Sequence, residues 1–119
     1  AYIHAEGYSA GEMKHGPIAL IDAQMPTIFV ATNERLFNKI YANVEQVKAR
    51  KGKIIAIVQQ GEKRLNKLAH DVIEIPQASA VQSPIITVIV LQLLAYHIAQ
   101  KLGKNIDQPR NLAKTVTVE

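Results

Sequence analysis

A lysine near the C-terminus, Lys114, is the side chain with the clearest potential for covalent chemistry. It lies in the run NLAKTVTV (residues 111–118), where apolar and β-branched residues flank it on both sides. Such residues suit a docked, extended segment. A lysine held in a partly desolvated site has a lowered pKa and can attack a carbonyl carbon to form a Schiff base. The residues alone also allow, and favour, a solvated lysine on a loose tail.

A second candidate is His15, in the motif KHGP (residues 14–17). Imidazole titrates near neutrality, as a proton shuttle requires. The motif alone nevertheless favours a hydrogen-bonded loop histidine, and we interpret His70 and His97 as structural. No pair of histidines has the i, i+4 helical spacing with carboxylate support that a metal site needs. We therefore expect no metal site.

Two carboxylates, Glu6 and Glu12, lie in the same loop as His15. They can be interpreted as a general acid–base pair or as structural hydrogen-bonding groups. Neither the glycine fingerprint of dinucleotide-binding folds nor the P-loop motif occurs in the chain. The sequence therefore offers no glycine-rich loop for a phosphate group.

The composition is that of one globular domain. The chain has 119 residues, of which 48% are hydrophobic and 20% charged, with a formal net charge of +4. The one dense basic cluster, RKGK (residues 50–53), suits a helix C-terminus better than a nucleic-acid site. There is no cysteine, which excludes disulfides, thiolate metal sites and a cysteine nucleophile within this sequence.

The sequence shows no targeting signal, so we expect a cytoplasmic protein. The first residues, AYIH, do not form a basic-then-apolar signal peptide. Charged or polar residues interrupt every apolar stretch before it reaches the length of a membrane span. We expect neither a membrane nor a nucleic-acid partner.

The elements that must position these residues alternate between strands and helices. Continuous apolar runs predict buried strands at 25–31 and 53–58 and a third strand, nearer an edge, at 71–76. Helical periodicity predicts helices at 34–51 and 62–69, the first beginning after Asn33 and ending at Gly52. The opening segment, 2–22, is predicted to be a loop with one or two short helical turns. This order is typical of a three-layer α/β/α sandwich with a parallel sheet.

A long final helix, 85–102, follows Pro84 and carries Ile, Val and Leu on nearly every face. A helix that is apolar all round is buried, or it packs against a second chain as well as its own sheet. A turn is predicted at 107–109 before the final residues.

Several motifs together resemble the glucosamine-6-phosphate synthase family, the isomerizing glutamine–fructose-6-phosphate aminotransferases. They are DQPRNLAKTVTVE (107–119), YIHAE (2–6), GEMKHGP (11–17) and LQLLAYH (91–97). The resemblance covers essentially the whole chain. It implies that residues 1–106 are part of the second sugar isomerase (SIS) domain, without its first strand and first helix. Residues 107–119 would be the C-terminal tail that covers the sugar.

The resemblance also implies an activity and a role for each candidate residue. The parent enzyme would convert fructose 6-phosphate and glutamine to glucosamine 6-phosphate and glutamate. Lys114 would hold the open-chain ketose as a Schiff base, and Ala113 and Lys114 would bind the substrate. His15 would assist ring opening from a neighbouring subunit. Glu6 and Glu12 would be structural or interface groups, since the family's catalytic carboxylate lies just before the matching segment.

The remaining implications concern partners. The resemblance implies upstream SIS and glutaminase domains, a homodimer or larger assembly, and no cofactor or metal. The fragment alone should be inactive. Two alternatives stay open: a related SIS sugar isomerase or deglycase, and a non-catalytic regulator that binds a sugar phosphate.

Overall fold

A three-stranded parallel sheet forms the centre of the computed structural model, which describes residues 1–111. The strands are β1 (Pro26–Ala31), β2 (Lys53–Gln59) and β3 (Asp71–Ile75), in the order β1-β2-β3. Phe29 is level with Ala56, and Ile57 is level with Ile73. The α/β class and the parallel sheet are confirmed, because all three strands lie where the apolar runs predicted them. The edge position of β3 is confirmed as well.

Helix α1 (Phe37–Ala49) and one face of the sheet enclose the hydrophobic core. The helix contributes Phe37, Val44 and Val47, all buried. Strands β1 and β2 contribute residues two apart, which point to the same face because side chains alternate along a strand. These residues are Phe29, Ala31, Ile54, Ala56 and Val58.

The ends of α1 follow the predicted signals with small shifts. Asn33 caps the entry, since its side-chain oxygen accepts a hydrogen bond from Arg35 N at 3.0 Å. The residues Glu34–Leu36 form a 3-10 turn before the α-helix proper. At the other end, Gly52 approaches the chain so closely that a Cβ would lie 2.6 Å from Val47 Cγ1 and 2.7 Å from Ile21 Cγ2. Only glycine fits there without displacing core side chains.

The predicted helix at 62–69 is wrong, because this segment forms a series of turns. Leu65 is buried as expected, with 1% of its surface exposed. Glu62, however, turns its carboxylate onto Arg64 N at 2.7 Å, an alternative to helical hydrogen bonding at the start of the segment. A segment this short gains too few helical hydrogen bonds to outweigh the cost of nucleation.

Helix α2 (Ser83–Lys101) begins with Pro84 in its first turn, as predicted, and contacts β3. Only Ser83, Thr87 and Ala99 of this helix are buried. By length and composition α2 is apolar enough to cross a membrane, a property that core helices of soluble proteins share. Five of its large apolar side chains are exposed: Ile85, Val88, Ile89, Leu93 and Tyr96.

Candidate functional site

His15 lies on the surface at the end of a short 3-10 turn, Glu12–His15. Two residues earlier, Met13 is buried in the core cluster and anchors the turn. Gly16 follows with φ of +156°, a backbone conformation that side chains rarely allow, and Pro17 begins a second 3-10 turn, Pro17–Leu20. The predicted loop with short helical turns is confirmed. The imidazole of His15 is therefore exposed, while buried Met13 holds the backbone of the same turn against the core.

The predicted substrate-binding and catalytic residues Ala113 and Lys114 lie outside the described residues. The segment that leads to them is described as far as Asn111. Asn105 Oδ1 accepts hydrogen bonds from Asp107 N at 3.1 Å and Gln108 N at 2.9 Å. These hydrogen bonds accompany a bend of the chain at residues 106–108, close to the position where a turn was predicted.

The opening segment contacts this C-terminal segment through Tyr2. Arg110 N donates a hydrogen bond to Tyr2 Oη at 2.5 Å, and the Arg110 guanidinium carbon lies 4.5 Å from the centroid of the Tyr2 ring. Sequence reasoning missed this pair because no spacing rule links residues at opposite ends of a chain. The contact joins the loop of His15 to the segment that precedes Lys114.

The carboxylates of the opening loop have separate surroundings. Glu6 Oε1 lies 3.0 Å from His4 Nε2, and both side chains are exposed. Glu12 is exposed in the first turn of its 3-10 helix. The described geometry thus gives Glu6 a histidine partner two residues away.

His70 is structural, as predicted. Its Nδ1 accepts a hydrogen bond from Ile54 N at 3.0 Å, and its own backbone N donates to Ile54 O at 2.8 Å. The side chain therefore adds a hydrogen bond between the segment before β3 and the start of β2. His97 lies edge-on to the neighbouring Tyr96 ring on α2, at 5.2 Å between centroids.

A polar cavity of about 300 Å³ opens at the carboxyl ends of the strands. Thr32, Gln59 and Gln77 line it, together with Glu34 and Glu62. Gln59 Nε2 donates to Thr32 O at 2.8 Å and to Ala78 O at 3.0 Å, so its amide ties three chain segments together. Parallel sheets bind ligands at this edge, and polar residues directly after a buried strand are the signal that could have indicated it.

An arginine, Arg64, organises the charges beside this cavity. Its guanidinium donates to both oxygens of Glu62 and to Glu34 at 3.0 and 2.6 Å. The guanidinium carbon lies 3.6 Å from the centroid of the Phe37 ring. The hydrogen bond from Arg64 lowers the pKa of Glu62 below its usual value, and the two carboxylates raise the pKa of Arg64. This cluster holds the 62–69 turns against the entry of α1.

Within residues 1–111, no three His, Asp or Glu side chains lie close enough together to hold a metal ion.

Fold and sequence together define the class. Residues 1–101 match the model of the SIS domain, and the chain belongs to the SIS domain family. The more particular likeness is to isomerizing glutamine–fructose-6-phosphate aminotransferases. The protein of that name from Chlorobaculum tepidum is 59% identical over 119 residues, which are 100% of this chain and 19% of that protein. The one from Aquifex aeolicus is 58% identical over 100% of this chain and 20% of that protein.

A solved structure shows the same fold. The C-terminal domain of glucosamine-fructose-6-phosphate aminotransferase from Francisella tularensis has a TM-score of 0.80 and 39% identity to this chain. The match covers 91% of this chain and 30% of that one. The family resemblance drawn from the motifs is confirmed, and the chain spans about a fifth of the length of the curated relatives it matches.

Proposed function

We propose that this chain forms the C-terminal part of the sugar-isomerizing portion of a glutamine–fructose-6-phosphate aminotransferase. In this role it serves the conversion of fructose 6-phosphate and glutamine to glucosamine 6-phosphate and glutamate. The observation that carries the proposal is the 59% identity over all 119 residues to a protein of that name. Residues 1–106 are then part of an SIS domain, and residues 107–119 are a tail over the sugar.

Lys114 is the proposed nucleophile. Its neutral amine adds to the ketone carbon of open-chain fructose 6-phosphate, and water leaves to give the Schiff base. The imine draws electrons away from the neighbouring carbon, which makes the proton on that carbon easier to remove. Ala113 lies next to Lys114 in sequence and is proposed to contact the same sugar.

His15 is the proposed acid–base group for opening the sugar ring. Opening requires a proton to move from the anomeric hydroxyl to the ring oxygen, and imidazole can both accept and donate one near neutrality. Its exposure supports this role, since an exposed imidazole is accessible to a sugar bound by a neighbouring subunit. We propose that it serves the site of a neighbouring subunit.

The exposed apolar surface supports a homodimer or larger assembly together with the upstream SIS and glutaminase domains. The outer face of β1 leaves Ile28 and Val30 40% and 41% exposed. Helix α2, which contacts β3, exposes further apolar side chains. Apolar patches of this kind mark contacts with other protein surfaces. Gln92, His97 and Gln100 also interrupt α2, which favours protein over lipid as its cover. We propose a cytoplasmic enzyme.

The test is an assay of the full-length enzyme for glucosamine 6-phosphate made from fructose 6-phosphate and glutamine. Lys114→Arg should abolish product, because guanidinium keeps the charge but cannot form the imine. Lys53→Arg, at an exposed lysine that begins β2, is the matched control and should keep full activity. A wild-type enzyme without product, or an active Lys114→Arg variant, would contradict the proposal.

A further inference from the structure

Another cavity, of about 440 Å³, lies between α1 and the 62–69 turns. Its volume is within the range of small-molecule sites, roughly 300–1,000 Å³. Helix α1 and the turns each contribute three lining residues, which are Phe37, Asn38, Tyr41, Lys63, Arg64 and Lys67. The chemistry of these side chains indicates the kind of ligand that they would hold.

Two lysines supply positive charge to this cavity. Among residues 1–111, the ammonium groups of Lys63 and Lys67 form no ion pair. The turn between them is closed by a hydrogen bond from Asn66 N to Lys63 O at 3.1 Å, and both side chains line the cavity. An ammonium group donates up to three hydrogen bonds and accepts none. A ligand that engages both lysines is therefore an anion.

Arg64 offers the cavity a flat face instead of hydrogen-bond donors. Its Nε donates to Glu62, and its two Nη atoms donate to Glu34, so carboxylates already occupy the edge of the guanidinium. One face of the guanidinium lies over the Phe37 ring, with 3.6 Å between its carbon and the ring centroid. The Arg64 side chain is nevertheless 45% exposed, which leaves the opposite face accessible. Guanidinium planes stack on aromatic rings and on nucleic acid bases.

The α1 side of the cavity adds a further ring and two polar groups. Asn38 and Tyr41 are three residues apart, so they are neighbours on the helix surface. Tyr41 is half-buried, and its ring centroid lies 6.4 Å from that of Phe37. The Tyr41 hydroxyl and the Asn38 amide can both donate hydrogen bonds to a polar ligand. The cavity thus combines flat surfaces with donors.

We propose that this cavity binds a nucleoside phosphate. Lys63 and Lys67 hold the phosphate, and the flat base stacks on the accessible face of Arg64 beside Tyr41. The two lysines alone would hold any small anion, whereas stacking of a base strengthens binding by roughly tenfold or more. Of the residues 1–111, none that the proposed sugar chemistry uses lines this cavity. The inference therefore does not depend on the proposed function.

The test measures the binding of ADP to the full-length enzyme by equilibrium dialysis. Pyrophosphate keeps only the anion of this probe, and adenosine keeps only its uncharged part. Lys63→Gln/Lys67→Gln removes both ammonium groups of the cavity. Lys48→Gln/Lys53→Gln, at two exposed lysines outside the cavity, removes the same charge and is the matched control. A photoreactive azido analogue of ADP, followed by digestion and mass spectrometry, locates the bound base.

We expect ADP to bind the wild type and the control equally. Binding to Lys63→Gln/Lys67→Gln should be weaker by about tenfold, as for the loss of two solvent-screened charge contacts. Pyrophosphate and adenosine should each bind at least about tenfold more weakly than ADP, and added salt should weaken ADP binding. The azido analogue should label peptides that contain Tyr41 or the 62–69 turns.

Four results would overturn the proposal. They are a wild-type enzyme that binds no ADP, equal affinity for ADP in the two double variants, pyrophosphate bound as tightly as ADP, and labelling confined to other peptides. The third result would reduce the cavity to a site for small anions, and the fourth would assign the nucleotide to another part of the enzyme.

Discussion

The sheet with α1 and the two terminal segments are held together in different ways. In the first region, apolar side chains from β1, β2 and α1 enclose each other, and Val44, Val47 and Ile54 have no exposed surface. In the second region, residues 1–9 and 102–108 are exposed throughout. These segments are fixed by single anchors: the buried Met13, the Asn105 turn and the Tyr2 contact with Arg110.

The difference separates stability from chemistry. Burial of apolar surface is the main source of folding free energy, so the sheet and α1 should determine whether the chain folds. His15, one of the two candidate catalytic residues, is exposed on the opening segment, and loops of this kind carry reactive groups on a rigid support. Substitutions in the two regions should therefore change different observables.

The largest expected effect is on catalysis in the exposed region. His15→Ala in the full-length enzyme should lower turnover with the cyclic sugar by roughly 10²- to 10⁴-fold, the range for lost acid–base assistance. Its melting temperature should be unchanged, since the His15 side chain is exposed. Steady-state kinetics measures the turnover, and thermal unfolding measures the melting temperature.

The subunit that His15 serves can be determined with mixed protomers. Hybrids of His15→Ala and Lys114→Arg chains contain one intact site if the two residues come from different subunits. Such hybrids should recover part of the activity. Verified hybrids without recovery would place both residues in the site of the same subunit.

The next effect is on stability in the buried region. Leu65→Ala should lower the free energy of unfolding by about 2–5 kcal/mol, because it leaves a cavity under the 62–69 turns. The control is Leu20→Ala, which removes a side chain that is 64% exposed and should change little. Chemical denaturation measures both, and equal effects would contradict the division between the two regions.

The smallest expected effect is on the pH dependence of the free energy of unfolding, through the pair of Glu62 and Arg64. The pKa of Glu62 is lowered in the folded chain by its hydrogen bond from Arg64. A lowered carboxyl pKa contributes stability above the unfolded value, 4.5, and this contribution is lost as the pH falls through the folded value. Glu62→Gln should therefore flatten the fall in stability below that pH. The measurement is the melting temperature as a function of pH. If it falls equally with decreasing pH in Glu62→Gln and in the wild type, the pair of Glu62 and Arg64 does not contribute to stability.

The regular elements followed from the sequence because their signals are local. Apolar residues at helical spacing indicated α1, and continuous apolar runs indicated β1 and β2. The 62–69 segment has two inward-facing leucines, as a short helix would, but its carboxylate Glu62 competes for the backbone N–H groups. Glu62 also pairs with Arg64, which binds Glu34 from 30 positions earlier, and local periodicity does not encode this long-range contact.

The site was predictable only in part. The KHGP motif indicated His15, and the structure places its imidazole on the surface. The hydrogen bond between Tyr2 and Arg110 depends on how the fold brings the two ends together, which no local pattern encodes. Ala113 and Lys114 lie outside the described residues, so their roles stay predictions from the motif.

Trapping of the imine tests the central claim most directly, namely that Lys114 supplies the covalent chemistry. The full-length enzyme is incubated with fructose 6-phosphate, reduced with borohydride and digested, and the peptides are weighed by mass spectrometry. We predict a sugar phosphate adduct on Lys114 that is absent in Lys114→Arg and present in Lys53→Arg. An adduct on another lysine, or one that persists in Lys114→Arg, would contradict the account.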